Sequence, residues 1–390
     1  MRTNRQRVRL ALLRAFAACT PFLRHPREKA RRDALRILLI RPDHIGDLLF
    51  TTPALRVLRK GFPDAHLACM VGPWAKAVVE HNPHLDEVIL CQFPGFTRRP
   101  KGSILAPYRM LWEWAEKLRA YHFDMAIVLR FDHWWGALLA YLAGIPYRLG
   151  YAVAECEPFL TTAVPYVSQR HEVEQNLTLI EQAIHDYDRD IPQDPAHLEF
   201  FVTEQDREYI AHYLAKRGVA AEEKIVVIHP GAGAAVKEWR SEAFAQVADA
   251  LVERWQARIV LTGSRDDLDL VWSIYAHMCS DPIIAAGDTT IGQLAALFQR
   301  SRLVIGPDCG PLHLAVAMGT PTVHLYGPVD RRKFGPWGQP ERHLVLTSGR
   351  ACIPCNRLDY TADELPNHPC VREITPAAVL DTAQKLLAMK

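Results

Sequence analysis

The stretch Leu303–Pro328, LVIGPDCGPLHLAVAMGTPTVHLYGP, constrains the fold more than any other part of the chain. Leu303–Ile305 and Thr322–Tyr326 are β-rich apolar runs, whereas Leu312, Ala315, Val316 and Met318 between them fall at helical spacing. Pro311 suits the first turn of that helix, and Gly319, Thr320 and Pro321 stop it. The predicted order is therefore buried strand, tight turn, short helix, buried strand. A strand that ends in Gly and Asp before a helix start aims free amides and the positive dipole end at one spot, which suits a phosphate. Asp308 and His313 add polar groups at a sheet edge where open α/β folds bind ligands. The plainer alternative is an ordinary βαβ corner with a solvated Asp and a capped helix.

The same alternation runs through most of the chain. Leu35–Arg41, His66–Val71, Glu87–Leu90 and Met125–Leu129 read as strands of a first series, with helical segments between them. Lys224–Ile228, Arg258–Thr262, Ile283–Ala285, Leu303–Ile305 and Thr322–Tyr326 form a second series after Pro192 and Pro195. Alternating strands and helices imply parallel sheets covered on both faces. With 390 residues, two domains are expected. The division is a segment at 1–34, a first Rossmann-like domain at 35–190 and a second at 191–390. The fold class is α/β, two Rossmann-like domains facing a cleft. The last helical stretch, Pro376–Met389, is expected to cross back onto the first domain.

Composition excludes some classes. A formal net charge of +2 gives no sign of a nucleic-acid partner, and nine scattered cysteines fit a reducing compartment. No apolar run reaches the length of a membrane span. Residues 1–34 stand apart because they are rich in arginine with very few acids. Leu10, Leu13 and Ala17 with Phe16 form an apolar stripe, so a basic amphipathic helix on an anionic membrane is one reading. A disordered basic tail is another. A lipoprotein signal ending at Cys19 is a third, opposed by Arg14 within its apolar core.

Four constellations carry chemistry. After the first strand come Gly46 and Asp47, and a carboxylate there can serve as a general base or simply cap the next helix. Thr52 is the expected cap of the helix that begins at Pro53. In the second domain, Gly231 and Gly233 follow a strand and can wrap an anion with backbone amides. Lys237 adds a point charge for a phosphate, unless it is one more surface lysine. Asp267, after the next strand, can bond ribose hydroxyls. The fourth is the turn Asp308, Cys309, Gly310 and His313. In the first domain, the basic loop with Arg98, Arg99 and Lys101 is assigned, with Gly46, to the second substrate. Cys352, Cys355 and Cys370 have zinc-type spacing in part, but a second CxxC pair is missing, so reduced thiols in a loop are expected and no metal is assigned.

Together these pieces resemble glycosyltransferase family 9, the heptosyltransferases of the lipopolysaccharide inner core. The matching stretches are ILLIRPDHIGDLLFTTPAL, HPGAGAAVKEW and the Leu303–Pro328 run. The resemblance implies a GT-B fold and an inverting, metal-independent transfer, with a nucleotide sugar as donor, usually ADP-heptose. By motif, Asp47 falls on the family's proposed base and Lys237 on its donor-phosphate lysine. Asp308, Gly310 and His313 fall on its donor loop. Cys309 departs from the Ser or Thr common at its position, which removes a hydroxyl contact to the donor. The implied acceptor is a glycolipid or glycan. The implied location is cytoplasmic, peripheral on the inner face of the inner membrane, with no cofactor. A family relative using another sugar nucleotide and acceptor, a sugar-nucleotide epimerase and a non-catalytic binder are the alternatives.

Overall fold

The structure, a computed structural model, describes residues 4–20, 34–97 and 105–389. The chain divides into two compact units, Met1–Ala196 and His197–Lys390.

The first unit opens with α1 (Asn4–Cys19), β1 (Arg36–Arg41), α2 (Ile45–Leu49), α3 (Thr52–Gly61), β2 (His66–Val71), α4 (Lys76–Val79) and β3 (Glu87–Leu90). It continues with α5 (Ala106–Ala120), β4 (Met125–Val128), α6 (Trp134–Leu142), β5 (Tyr147–Tyr151), β6 (Thr162–Val164) and α7 (Glu172–Asp186). Its six strands are parallel and ordered β3-β2-β1-β4-β5-β6. β1 is central, with Leu39 registered against Cys69 on one side and Ile127 on the other, which explains its unbroken apolar run. Thr51, one residue earlier than expected, is the N-cap of α3. Its hydroxyl donates to the Asp47 carbonyl at 3.1 Å, so α2 runs almost directly into α3.

α6 is apolar nearly all round and is buried from Trp135 to Leu142, as such a helix must be. α1 helps cover it. Leu13 and Ala17 are buried in the first unit's core, and Thr20 Oγ1 lies 2.8 Å from the Tyr141 hydroxyl. Half of the apolar stripe expected to face lipid therefore faces protein. The alternative of a wholly disordered basic tail fails for Asn4–Cys19; residues 21–33 lie outside the described residues.

The second unit runs α8 (Glu204–Ala215), β7 (Ile225–Ile228), α9 (Ser241–Trp255), β8 (Arg258–Leu261), α10 (Leu268–His277), β9 (Ile283–Ile284) and α11 (Ile291–Arg300). Then follow β10 (Leu303–Pro307), α12 (Gly310–Ala317), β11 (Thr322–Leu325), α13 (Arg331–Phe334), β12 (His343–Leu346) and α14 (Pro376–Ala388). The sheet is again parallel, in the order β12-β11-β10-β7-β8-β9. Counted within the unit, this is the same winding as the first. In α14, Val379, Leu380, Ala383, Leu386 and Leu387 belong to the core of the second unit, alongside Phe244 and Ala248 of α9.

Candidate active site

In a parallel sheet wound this way, the strand order reverses once, and the loops on either side part to leave a crevice at the carboxyl ends of the strands. The reversal lies between β1 and β4 in the first unit and between β7 and β10 in the second. In each unit an ion pair spans that reversal. Arg130, after β4, donates through Nη1 to Oδ1 of Asp43, after β1. Lys237, after β7, places Nζ 3.0 Å from Oδ2 of Asp308, after β10.

The first cluster is organised by Arg41, the last residue of β1, which is almost fully buried. Its Nε lies 2.7 Å from Asp43 Oδ2. Its Nη1 donates to the Leu129 carbonyl at 3.1 Å and to Asn176 Oδ1 at 3.2 Å, and its Nη2 to Glu172 Oε2 at 3.4 Å. Asp47 Oδ1 is the most distant partner, 4.0 Å from Nη2. Asp47 stands in the first turn of α2, where no side chain makes a capping bond, so it is not a helix cap. Its side chain keeps 33% of its surface open. Burial of its surroundings, with the negative charges of Asp43 and Glu172, pushes the Asp47 carboxyl up to about 7 against the pull of Arg41. Burial would raise Asp43 as well, but Arg41 and Arg130 outweigh it and hold that carboxyl low. Two acids four residues apart are thus driven in opposite directions, as acid and base assignments require.

The second cluster forms where β7 and β10 end. The turn Ala235–Lys237 brings Lys237 to Asp308, with only 12% of the lysine side chain exposed. Asp308 Oδ1 also lies 3.6 Å from His313 Nε2 on α12. Burial alone would raise Asp308, but the His313 bond and the Lys237 charge hold it well below the usual carboxylate range. An ammonium has three donors, so Lys237 can keep Asp308 and still meet a second anion. α12 starts at Gly310 with Cys309 at its N-cap, and the Cys309 side chain makes no capping bond. Burial pushes the Cys309 thiol up to about 12, so it is neutral. Gly306 is required by close packing: a Cβ there would stand 2.3 Å from the His229 carbonyl oxygen.

Gly46 sits in α2 beside Asp47, and its carbonyl accepts from Phe50 N at 3.1 Å. Gly231 lies against Asp267, whose Oδ1 would be 2.6 Å from an added Cβ, whereas Gly233 faces open space. Asp267 Oδ2 accepts from both the amide and the hydroxyl of Ser264 at 2.7 Å, which closes that turn and leaves Oδ1 for a ligand. Arg98, Arg99 and Lys101 lie outside the described residues. Cys352 and Cys355 are exposed, Cys370 is buried, and all three are free thiols. Among the described residues no group of three metal-type ligands comes together. The sequence reading missed Arg41, Asp43, Arg130 and Glu172. Arg41 and Asp43 did carry a local signal: a strand buried on both faces that ends in two charged residues around a proline.

Comparison with known proteins bears on this layout. The family model for glycosyltransferase family 9 (heptosyltransferase) matches residues 111–363. Lipopolysaccharide heptosyltransferase 3 of Escherichia coli K12 is 28% identical over 305 residues, spanning 75% of this chain and 82% of its own. The crystal structure of a family 9 glycosyl transferase from Veillonella parvula DSM 2008 matches with a TM-score of 0.76 at 26% identity, covering 90% of this chain and 97% of that one. The E. coli ADP-heptose lps heptosyltransferase II matches with a TM-score of 0.71 at 23% identity, covering 90% and 98%. The fold is GT-B, built of two Rossmann-like domains.

Proposed function

We propose a reaction for this chain, which belongs to glycosyltransferase family 9 and is a glycosyltransferase: inverting, metal-independent transfer of heptose from ADP-heptose to a lipopolysaccharide-core or related glycan acceptor. The relatives named above support the donor and the acceptor class. Family membership removes the epimerase and the binder from consideration. The second unit is assigned to the donor and the first to the acceptor. The location that fits is the cytoplasm, at the inner face of the inner membrane; no described helix is long and apolar enough to cross a membrane.

The chemistry follows from where charge develops. As the bond from sugar C1 to the diphosphate oxygen breaks, its electron pair leaves with the nucleotide and C1 becomes cation-like. Lys237, steadied by Asp308, and the amide end of α12 would take up the negative charge of the departing diphosphate. Asp47 would accept the proton of the acceptor hydroxyl while that oxygen bonds to C1 on the face opposite the leaving group. The observation that carries the reading is Asp47: a carboxyl in the β1–β4 crevice, partly open, with its proton affinity brought to about 7. A base is most effective when its pKa lies near the working pH.

The test is incubation with ADP-heptose, with and without a heptose-deficient inner-core acceptor. ADP should appear only when both are present, and the product anomer should be opposite to the donor's. Release independent of acceptor overturns the transfer reading, and a retained anomer overturns inversion. Loss of turnover in a chelator, restored by a divalent cation, overturns metal independence.

A further inference from the structure

We propose that α1 and α5 together form a docking face for an anionic lipid bilayer; this rests on the reading above only for the expectation of a membrane-borne acceptor. Both helices pack against buried α6. Arg9 of α1 stacks over the Trp134 ring at 5.4 Å, and Thr20 meets the Tyr141 hydroxyl. One residue further round α6, Trp135 Nε1 donates to the Pro107 carbonyl at 3.0 Å, and Arg119 Nη2 of α5 donates to the Leu142 carbonyl at 2.9 Å. The inward faces of α1 and α5 are thereby fixed, by Leu13 and Ala17 and by Leu111, Ala115 and Leu118.

What remains outside is unusually apolar. Val8, Leu12 and Phe16 recur every four residues along α1, and Leu105, Tyr108 and Trp112 recur on the start of α5. Leu12 is 65% exposed, Leu105 72% and Trp112 54%. Six of the nine large apolar side chains that the first unit exposes among its described residues lie on these two elements, so the exposure is concentrated rather than scattered.

Charge selects the occupant. α1 exposes Arg7 and Arg14, holds Arg9 3.9 Å from Glu155, and has no acid of its own. α5 adds Arg109, Lys117 and Arg119 against Glu113 and Glu116. Glu113 is paired with Arg109 at 2.9 Å, and Glu116 accepts from the Trp112 indole at 3.0 Å. A second copy docking here would bring arginine against arginine. An anionic lipid surface takes the apolar side chains into its interface, the Tyr and Trp at headgroup level, and the arginines against lipid phosphates.

Deleting α1 would uncover α6, so the test uses point variants of the full chain. Co-sedimentation is measured with vesicles of phosphatidylcholine alone and with vesicles of phosphatidylcholine and phosphatidylglycerol, the latter carrying a negative surface potential, at low and high salt. One variant combines Leu12→Gln, Leu105→Gln and Trp112→Gln; a second combines Arg7→Gln and Arg14→Gln. All five positions are exposed, and thermal melting checks that both variants fold. Wild type should bind the anionic vesicles at least about tenfold more tightly than the neutral ones; the arginine variant should lose up to about 30-fold, two charges at about 1 kcal/mol each, and the apolar variant at least about tenfold through lost buried apolar area. Absence of wild-type binding at low salt overturns the proposal, as does unchanged binding of the apolar variant. A wild-type dimer that dissociates in the apolar variant, without lipid binding, shows a second copy as the occupant and also overturns it. Transfer to a water-soluble acceptor, read in parallel, should be unchanged in both variants. Failure of the transferase reading would show there and leave the vesicle result intact.

Discussion

Asp47→Asn preserves side-chain shape and removes only the proton acceptor. General-base catalysis is worth on the order of 100- to 10,000-fold, so transfer should fall by that factor with donor affinity nearly unchanged. The structure sets an opposite effect on stability. The Asp47 carboxyl rises from 3.8 to about 7 on folding, through burial first and then Asp43 and Glu172. The folded state therefore holds this proton more tightly than the unfolded chain, and stability falls as pH rises from about 4 to 7, then levels off. A full pH unit is worth about 1.4 kcal/mol. With 33% of the side chain in water, screening leaves a penalty of roughly 1–2 kcal/mol above pH 7. Asn escapes that penalty, so the variant should melt about 2–8 °C higher than wild type at pH 8 and no higher at pH 4. Transfer rate and melting temperature, measured on both proteins across that range, decide the matter. Near wild-type transfer refutes the base. A variant that melts lower at pH 8 refutes the electrostatic account, because Asp47 would then be a needed partner of Arg41.

Three further outcomes are expected. Lys237→Ala should weaken nucleotide-sugar binding by calorimetry and slow transfer about 100- to 1000-fold; unchanged affinity and turnover would remove Lys237 from the donor site. Glu172→Gln takes away one of the charges that raise Asp47, so the kcat/KM profile should move to lower pH while its maximum is largely kept. An unmoved profile would show that Glu172 only holds Arg41. Gly306→Ala should destabilise the second unit by about 3 kcal/mol in urea unfolding, because its Cβ would meet a backbone oxygen at 2.3 Å. A loss of only a few tenths of a kcal/mol would mean that β7 and β10 can move apart.

The elements legible in the sequence were those whose cause is local. β1, β7 and β10 are unbroken apolar runs because each lies inside its sheet, and the turns after them follow from Gly, Pro and Asp. β5, with Arg148 and Gly150 in its five residues, has no such run and went unseen. Arg41 finds Glu172 and Asn176 across 131 and 135 residues, a distance over which no spacing rule operates. The α1 stripe was legible as amphipathic but not as to its neighbour, because Leu13 and Ala17 look the same whether they face lipid or protein. For α14 the pattern revealed an apolar face and left open which sheet it would cover.

The repeated winding of the two units has a consequence for how such enzymes diversify. Each unit closes its core with its own residues, and the groups proposed for donor and acceptor do not share a strand or a helix. With the donor assigned to the second unit and the acceptor to the first, as proposed above, a chimaera joining residues 1–196 of this chain to the corresponding second half of a relative would inherit its nucleotide-sugar choice from one parent and its acceptor choice from the other. Under that assignment, what is transferred and what receives it can change as separate events, each confined to the loops at one reversal of strand order.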